Sequence, residues 1–287
     1  MITPLTPELL QTYRAQTYHT LPQLRLKNPQ QAIEFINERG LAYLWPIKDT
    51  EFPSLWAAAA GNRPVADDHD DPGHITWGWK DSLLDQKVWY YARLLKRRNT
   101  FVSLELAPYL YALSPNYGSP EDDFAEQYQM GTLTQETKLV FEALLEKGPL
   151  DTLALRKAAH LSGKASNTAF NHALDTLQMD MRVLPVAISE AGRWHYAFVY
   201  DLTHRYFPEL LEQARAIGES EARQKLLLTY FRSVGAATAR MVQSIFRWSP
   251  EITARALHRL VDNGTLMADL SFADQKESFF AIPDLLR

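Results

Sequence analysis

An internal repeat in the C-terminal half constrains the fold more than any other feature of this 287-residue chain. A shift of 87 positions superposes Lys138-Leu139 on Lys225-Leu226 and Gly148 on Gly235. A shift of 83 positions then superposes apolar residues on apolar residues: Leu174 on Leu257, Leu177 on Leu260, and Val183 on Leu266. The two shifts differ by four residues, and the difference falls in a turn between two predicted helices, where a deletion costs little stability. We therefore expect two copies of one supersecondary unit.

The first copy has the pattern of three helices followed by a β-hairpin. Helical spacing of apolar residues predicts helices over residues 134–147, 151–161 and 166–179. Two β-rich runs, 182–188 and 194–200, flank a Ser-Glu-Ala-Gly turn, which is typical of a hairpin. In the second copy Ser249 is placed to cap the third helix, and the hairpin covers 266–270 and 279–282. This order is that of the winged-helix variant of the helix-turn-helix.

A third, weaker repeat lies near the N-terminus. Ile33, Ile36 and Gly40 have the spacing of the third helix of the second copy, and residues 41–47 would follow as a strand. We therefore predict a mostly α fold with small β-hairpins, an α+β fold built from tandem winged helices. The predicted domains are a modified winged-helix-like unit at 1–118 with a helical insert at 80–114, and winged helices at 131–208 and 209–287. Helix–turn–helix pairs also build solenoid scaffolds, which is the alternative.

Composition excludes several classes of protein. Hydrophobic residues make up 46% of the chain and the formal net charge is only −4, which excludes a mostly disordered chain. Cysteine is absent, which excludes a disulfide scaffold, an iron–sulfur site and a thiol nucleophile. No apolar run reaches the ~18 residues of a membrane span, and the first residues lack the pattern of a signal peptide. We expect a cytoplasmic monomer with no membrane partner, no cofactor and no metal.

Positive charge is concentrated in two segments. Residues 80–98 carry six Lys or Arg against two Asp, and residues 223–259 carry seven against one Glu. Because a winged helix places its third helix in the DNA major groove and its wing on the backbone, we expect such residues to contact double-stranded or distorted DNA. The candidates are Arg93, Lys96 and Arg97 on the insert helix, Lys164, Asn167 and Asn171 on the third helix, Arg193, Trp194 and His195 at the wing tip, and Arg240, Arg255 and Arg259 in the second copy. The alternative is that these are solvated faces.

Two segments resemble sequences of a known family. Residues 199–208, VYDLTHRYFP, are similar to the YDLTERxxP signature that follows the wing in the AlkZ/YcaQ family of bacterial DNA glycosylases. Residues 228–238 with Phe246-Arg247-Trp248 resemble the RYLxxxGPAT…W segment of that family. The resemblance covers mainly residues 130–287. It implies a C-shaped stack of tandem winged helices with a basic concave DNA channel, and the excision of alkylated purines.

The catalytic element of that family, a Gln-x-Gln or Gln-x-Asp motif, is replaced in this chain. The resemblance places the motif on the strand at 40–46, where its two positions fall on Tyr43 and Trp45. Neither side chain is suited to activating the water that a hydrolytic glycosylase requires. The chain therefore resembles an AlkZ-related branch that lacks the motif.

An acidic segment offers a replacement site. Residues 67–74 contain four Asp and two His, and Trp77 follows. Carboxylates can activate water, aromatic rings can hold a flipped base, and a desolvated lysine can act as a nucleophile. The candidate catalytic residues are His69, Asp70, Asp71, His74 and Lys80. Two alternatives stay open: a polar loop that caps helices, and a divalent metal held by His69, Asp71 and His74, whose spacing matches no established site.

The leading hypothesis is a DNA-binding protein related to the AlkZ/YcaQ glycosylases that engages damaged or distorted DNA, with diverged base excision as an extension. The alternatives are a non-enzymatic transcription regulator, which would read one intact sequence through Asn167 and Asn171, and a protein-interaction scaffold. Tyr43 and Trp45 are the most informative positions, since side chains that face a channel can stack against DNA and buried ones are core.

Overall fold

The computed structural model describes residues 4–116, 118–192, 194–272 and 277–286. The α-helices are α1 Pro7–Thr17, α2 Pro29–Arg39, α3 Leu55–Ala60, α4 Ile75–Leu83, α5 Ala107–Tyr111, α6 Pro120–Gln129, α7 Gln135–Lys147, α8 Thr152–Ala158, α9 Asn167–Met179, α10 Thr203–Tyr206, α11 Pro208–Arg215, α12 Glu219–Val234, α13 Ala239–Phe246 and α14 Pro250–Asp262. The β-strands are β1 Leu41–Tyr43, β2 Tyr90–Arg93, β3 Asn99–Val102, β4 Leu150–Asp151, β5 Val183–Ser189, β6 Ala197–Leu202, β7 Ala236–Ala237, β8 Met267–Leu270 and β9 Phe279–Ala281. The fold is mostly helical with small antiparallel sheets, as predicted.

One order of elements, helix–strand–helix–helix–strand–strand, occurs three times. The first unit runs α2-β1-α3-α4-β2-β3, the second α7-β4-α8-α9-β5-β6, and the third α12-β7-α13-α14-β8-β9. In each unit the last strand is the middle strand of a three-stranded sheet, with orders β1-β3-β2, β4-β6-β5 and β7-β9-β8. The hairpins predicted in the two C-terminal copies are present as β5–β6 and β8–β9.

The N-terminal repeat was placed in the wrong register. The sequence aligned the helix that ends at Gly40 with a third helix, but α2 is the first helix of its unit. Gly40 closes α2 with a φ of 71° as Gly235 closes α12 with a φ of 76°. An apolar helix that ends at glycine fits either position, because both ends need a left-handed residue. The strand stops at Tyr43, short of Pro46, which has no N–H to donate.

The predicted helical insert is also wrong over residues 90–102. Tyr90–Arg93 and Asn99–Val102 are paired strands, and α4 before them is the third helix of the first unit. Arg93 therefore ends a strand, and Lys96 and Arg97 lie in the hairpin loop with φ of 54° and 56°. Tyr90 packs in one hydrophobic core, and Trp89 and Tyr91 pack in another on the opposite side of the strand. A strand that is buried on both faces lacks the alternation of apolar and polar residues that a half-exposed strand shows.

Side-chain caps explain where several helices begin. Thr6, Asn28, Ser54, Asp151 and Ser249 each accept a hydrogen bond from a backbone N–H in the first turn of the helix that follows. Glu121, Asp122 and Asp123, which lie between the predicted units at 1–118 and 131–208, are in the first turn of α6, where negative charge complements the helix dipole.

One hydrophobic core is shared by all three units. The largest cluster joins β1 and β2 of the first unit, Leu184 and Val186 of β5, and the inward faces of α12, α13 and α14. Hydrogen bonds also cross between units: the hydroxyls of Tyr90 and Thr203 lie 3.0 Å apart, and Tyr206 donates to the carbonyl of Leu84 at 2.9 Å. This packing fixes how the first unit lies against the others. Among the described residues, no helix has the length and hydropathy that crossing a bilayer requires.

Candidate nucleic-acid interface

A groove rich in positive charge opens where the chain leaves β1. Its volume is about 790 Å³. We call it the cationic groove; it is lined by Trp45, Pro46, Ile47, Lys48, Arg93, Lys96, Arg97, Arg98, Asn99 and Asp175. Five side chains of this set are cationic and one is a carboxylate, so the groove favours an anionic ligand.

The hairpin loop that supplies most of this charge is held from two sides. Arg93 Nη1 lies 2.7 Å from Asp175 Oδ1 on α9, and the Arg93 N–H donates to Gln178 Oε1 at 3.1 Å. Lys96 Nζ donates to Thr50 Oγ1 at 3.0 Å and to Ser244 Oγ, on α13, at 3.2 Å. The second and third units therefore position a loop that belongs to the first.

Arg97 and Arg98 are exposed, and unlike the exposed Arg93 their side chains have no hydrogen-bond or ion-pair partner among the described residues. Within the described ranges no carboxylate forms an ion pair with either guanidinium. Lys48, across the groove, is exposed in the same way. These three cations are free to contact phosphates, whereas Arg93 and Lys96 mainly fix the loop.

The two positions aligned with the missing motif have different environments. Tyr43 is buried, its ring lies 4.7 Å from that of Phe52, and burial raises the pKa of its hydroxyl. No described residue accepts or donates a hydrogen bond at that hydroxyl. Trp45 is half-buried and lines the cationic groove. Tyr43 therefore belongs to the core, and Trp45 faces the groove.

Trp45 also belongs to an aromatic cluster that joins the groove to α4. Its ring lies 5.2 Å from that of His74 and 6.1 Å from that of Trp77. Trp77 is 40% exposed and lies 5.8 Å from the ring of Tyr196 on the hairpin loop of the second unit. The Trp56 indole N–H donates to His74 Nδ1 at 3.2 Å, which orients the imidazole. We call Trp45, His74 and Trp77 the aromatic cluster.

Lys80 lies behind this cluster and is fully buried. Its ammonium forms an ion pair with Asp81 and donates to the Tyr196 hydroxyl at 2.9 Å, and that hydroxyl donates to Asp81 Oδ1 at 3.0 Å. The ring of Phe198 lies 4.4 Å from Nζ. Desolvation lowers the pKa of the amine below its ordinary value of 10.5, and Asp81 opposes this shift. The sequence hypothesis required Lys80 to be desolvated, and the structure shows that its side chain is buried beneath the aromatic cluster.

The acidic loop does not gather its predicted residues into one site. The side chains of His69 and Asp70 are fully exposed. Asp71 accepts from the Gly73 N–H at 2.7 Å and from Arg63 at 2.9 Å, and the Arg63 guanidinium lowers the pKa of its carboxyl. The His74 backbone N–H donates to the Asp71 carbonyl at 2.9 Å, but its ring packs in the aromatic cluster, 5.2 Å from that of Trp45. This arrangement favours the capping alternative, and the described part of the chain holds no group of three potential ligands close enough to bind a metal.

Two predicted contacts of the second unit lie on the face of α9 that reaches the cationic groove at Asp175. Asn167, Asn171 and Asp175 follow one another at intervals of four residues, so they share one face of the helix. The two asparagines are exposed and Asp175 lines the groove. Lys164, just before α9, is exposed, as are Trp194 and His195 on the β5–β6 loop; the prediction for Arg193 lies outside the described residues.

The predicted contacts of the third unit lie elsewhere. Arg255 and Arg259 line a separate groove of about 210 Å³ between α12 and α14, together with Arg223. We call it the second groove. Arg240 is exposed at the start of α13. Sequence reasoning did not select Lys48, Arg98 or Asp175 as site residues, although the four-residue spacing from Asn167 and Asn171 was a signal for Asp175.

Comparison with known proteins identifies the family. A family model described as AlkZ related matches residues 26–247, which is most of the chain. The chain belongs to the AlkZ-related family. The DNA glycosylase AlkZ of Streptomyces sahachiroi has a similar structure, with a TM-score of 0.59 and 12% sequence identity over 98% of this chain and 71% of that chain. At that identity the likeness shows the fold alone. Comparison with curated proteins finds no match.

In this AlkZ-related chain the signature segment after the second hairpin is structural. Arg205 donates to Asp201 Oδ1 at 2.9 Å and to the carbonyls of Leu144 and Leu145 at 3.1 and 3.0 Å, so it satisfies the C-terminal end of α7. Thr203 of the same segment contacts Tyr90 in the first unit. The segment thus helps to hold the cationic groove in place without facing it.

Proposed function

We propose that this AlkZ-related protein binds DNA in the cationic groove and engages damaged or distorted duplexes. The observation that carries the proposal is the exposure of Lys48, Arg97 and Arg98 beside Trp45, at the point of the chain where the resemblance places the family motif. Cations neutralise phosphates whatever the sequence, and an aromatic ring stacks on bases that are unpaired. The AlkZ relation supports the same assignment.

The repeated element order supports a second part of the proposal, that the three units are winged helices. In this interpretation α4, α9 and α14 are the recognition-like helices and the β2–β3, β5–β6 and β8–β9 hairpins are the wings. The proposed stack curls into a C shape with the cationic groove on its concave side. The asparagine face of α9 then continues the groove along the DNA.

Base excision by the known route of the family does not fit the motif positions. Tyr43 is buried and Trp45 carries no acid–base group, so neither can activate water. Among the described lining residues of the groove, Asp175 is the carboxylate, and it is paired with Arg93. Excision in the groove would therefore have to use Asp175, and the binding proposal does not depend on it.

The test is binding to matched duplexes that are intact, nicked, abasic or crosslinked, measured by gel shift at low salt. We expect tighter binding to the distorted duplexes. Arg97→Ala/Arg98→Ala should weaken binding by on the order of tenfold to a hundredfold, because two phosphate contacts are lost. The matched control is Lys147→Ala/Arg215→Ala, which removes two exposed cations outside the groove that are paired with glutamates.

Two outcomes would contradict the proposal. Negligible binding to every duplex would remove DNA from consideration and favour the protein scaffold. A preference for one intact sequence that disappears in Asn167→Ala/Asn171→Ala would instead indicate a transcription regulator, since side-chain amides read base edges.

A further inference from the structure

We infer that the exposed face of α4, together with Trp45, forms a stacking surface for one nucleobase that is unpaired in the bound DNA. The inference rests on the proposed function and adds to it a ligand class and a set of contacts. Ile75 and Trp77 are 52% and 40% exposed, although both are large apolar side chains on the third helix of the first unit. An exposed tryptophan with fixed neighbours is the usual contact for an unpaired base.

Three neighbouring side chains hold the ring of Trp77 in place. The Trp45 ring lies 6.1 Å away, the Tyr196 ring 5.8 Å away, and Lys80 Nζ 4.8 Å from the Trp77 ring centroid. These neighbours come from the segment that follows β1, from the second unit and from α4 itself, so the indole has little freedom to rotate. A ring that is already ordered loses little conformational entropy when a base stacks on it.

Gly78, the next residue of α4, leaves this surface open. A Cβ added at Gly78 would meet no atom within 4 Å, and its backbone is not in the left-handed region. Neither turn geometry nor close packing therefore requires glycine here, and glycine destabilises a helix interior relative to alanine. The remaining consequence of glycine at position 78 is that it has no side chain, so a flat ligand can reach the surface of the helix.

Charge complementarity identifies the occupant. Trp45 belongs both to the aromatic cluster and to the cationic groove, so the stacking surface and the phosphate contacts adjoin. A strand whose phosphates lie against Arg97 and Arg98 would present a displaced base to Trp77. Because every base has a π-face, we expect the surface to accept an unpaired base with little dependence on its identity.

The test compares two duplexes of one sequence, one fully paired and one with a single unpaired 2-aminopurine. We expect the protein to bind the bulged duplex more tightly and to quench the 2-aminopurine fluorescence. Trp77→Ala should lower the preference for bulged over paired DNA by about tenfold and abolish the quenching. Trp77→Phe should keep most of the preference, and Met130→Ala, which removes another exposed apolar side chain, should keep all of it.

Gly78→Leu is the second variant, because a Cβ added there meets no atom within 4 Å and the substitution should leave folding intact. It should reduce the preference by covering the surface, whether or not Trp77→Ala folds. An unchanged preference in Gly78→Leu together with an unchanged preference in folded Trp77→Ala would overturn the inference. If the unaltered protein shows no salt-dependent binding to either duplex, the proposed function is overturned instead.

Discussion

Gly40 packs where the first unit meets the third. Its φ is 71°, and a Cβ would lie 2.5 Å from Thr229 Cγ2 on α12. We expect Gly40→Ala to lower the free energy of unfolding by about 2–4 kcal/mol, because backbone strain and overpacking add. The matched control is Gly264→Ala, where φ is 75° but a Cβ meets nothing within 4 Å. It should cost only about 1–2 kcal/mol. Urea denaturation of both variants measures the difference, and equal losses would show that the α2–α12 contact does not matter.

Individual residues also show what the sequence could reveal about the site. It grouped Arg93, Lys96 and Arg97, which line one groove in the structure, because charge density is visible in the sequence. It gave no sign that Arg93 and Lys96 are committed to Asp175 and Ser244, since those partners are 82 and 148 residues away. The burial of Lys80 was equally hidden, because its enclosure depends on a hairpin of another unit.

At the scale of elements, Lys80 joins α4 to the β5–β6 hairpin through Asp81 and Tyr196. We expect Lys80→Met to destabilise the protein at pH 7 by about 2–4 kcal/mol, since it leaves Asp81 and Tyr196 without their cation. The Lys80 pKa is lowered in the folded state, so the folded protein releases this proton before the unfolded chain does. The contribution of Lys80 should therefore rise with pH between its lowered pKa and its ordinary value of 10.5.

The measurement is the difference in unfolding free energy between the unaltered protein and Lys80→Met at pH values from 7 to about 10.5, the ordinary lysine range. Taking the difference removes the tyrosines that do not contact Lys80, because their raised pKa values act in both proteins. A difference that falls as pH rises would contradict the assignment of burial as the dominant cause.

The elements that could be predicted are those with local signals. The helices and hairpin of the second unit have apolar periodicity, caps and turn residues, and they lie within a few residues of their predicted bounds. The first unit was misread because its β1–α3 and α3–α4 connections are long, and its strands are buried on both faces. Strands of that kind have no alternation, so pairing with distant partners decides them.

For the whole molecule, the proposed C shape requires both grooves to face one DNA duplex. The cationic groove and the second groove share no lining residue, so each can be removed separately. The proposed curvature can therefore be tested in solution, because phosphate contacts made by one ligand add in the salt dependence of its affinity.

We expect Arg97→Ala/Arg98→Ala to reduce the slope of log affinity against log salt by about 2 on a duplex of roughly 20 base pairs, since each lost phosphate contact reduces it by about 0.9. Arg255→Ala/Arg259→Ala should reduce it by about the same amount, and the fourfold variant by about 4. Binding titrations between low and moderate salt provide the slopes. If only the first pair changes the slope, the second groove lies off the DNA path: the cationic groove remains the interface and the proposed concave channel is wrong. If neither pair changes the slope, the groove itself does not bind the phosphate backbone.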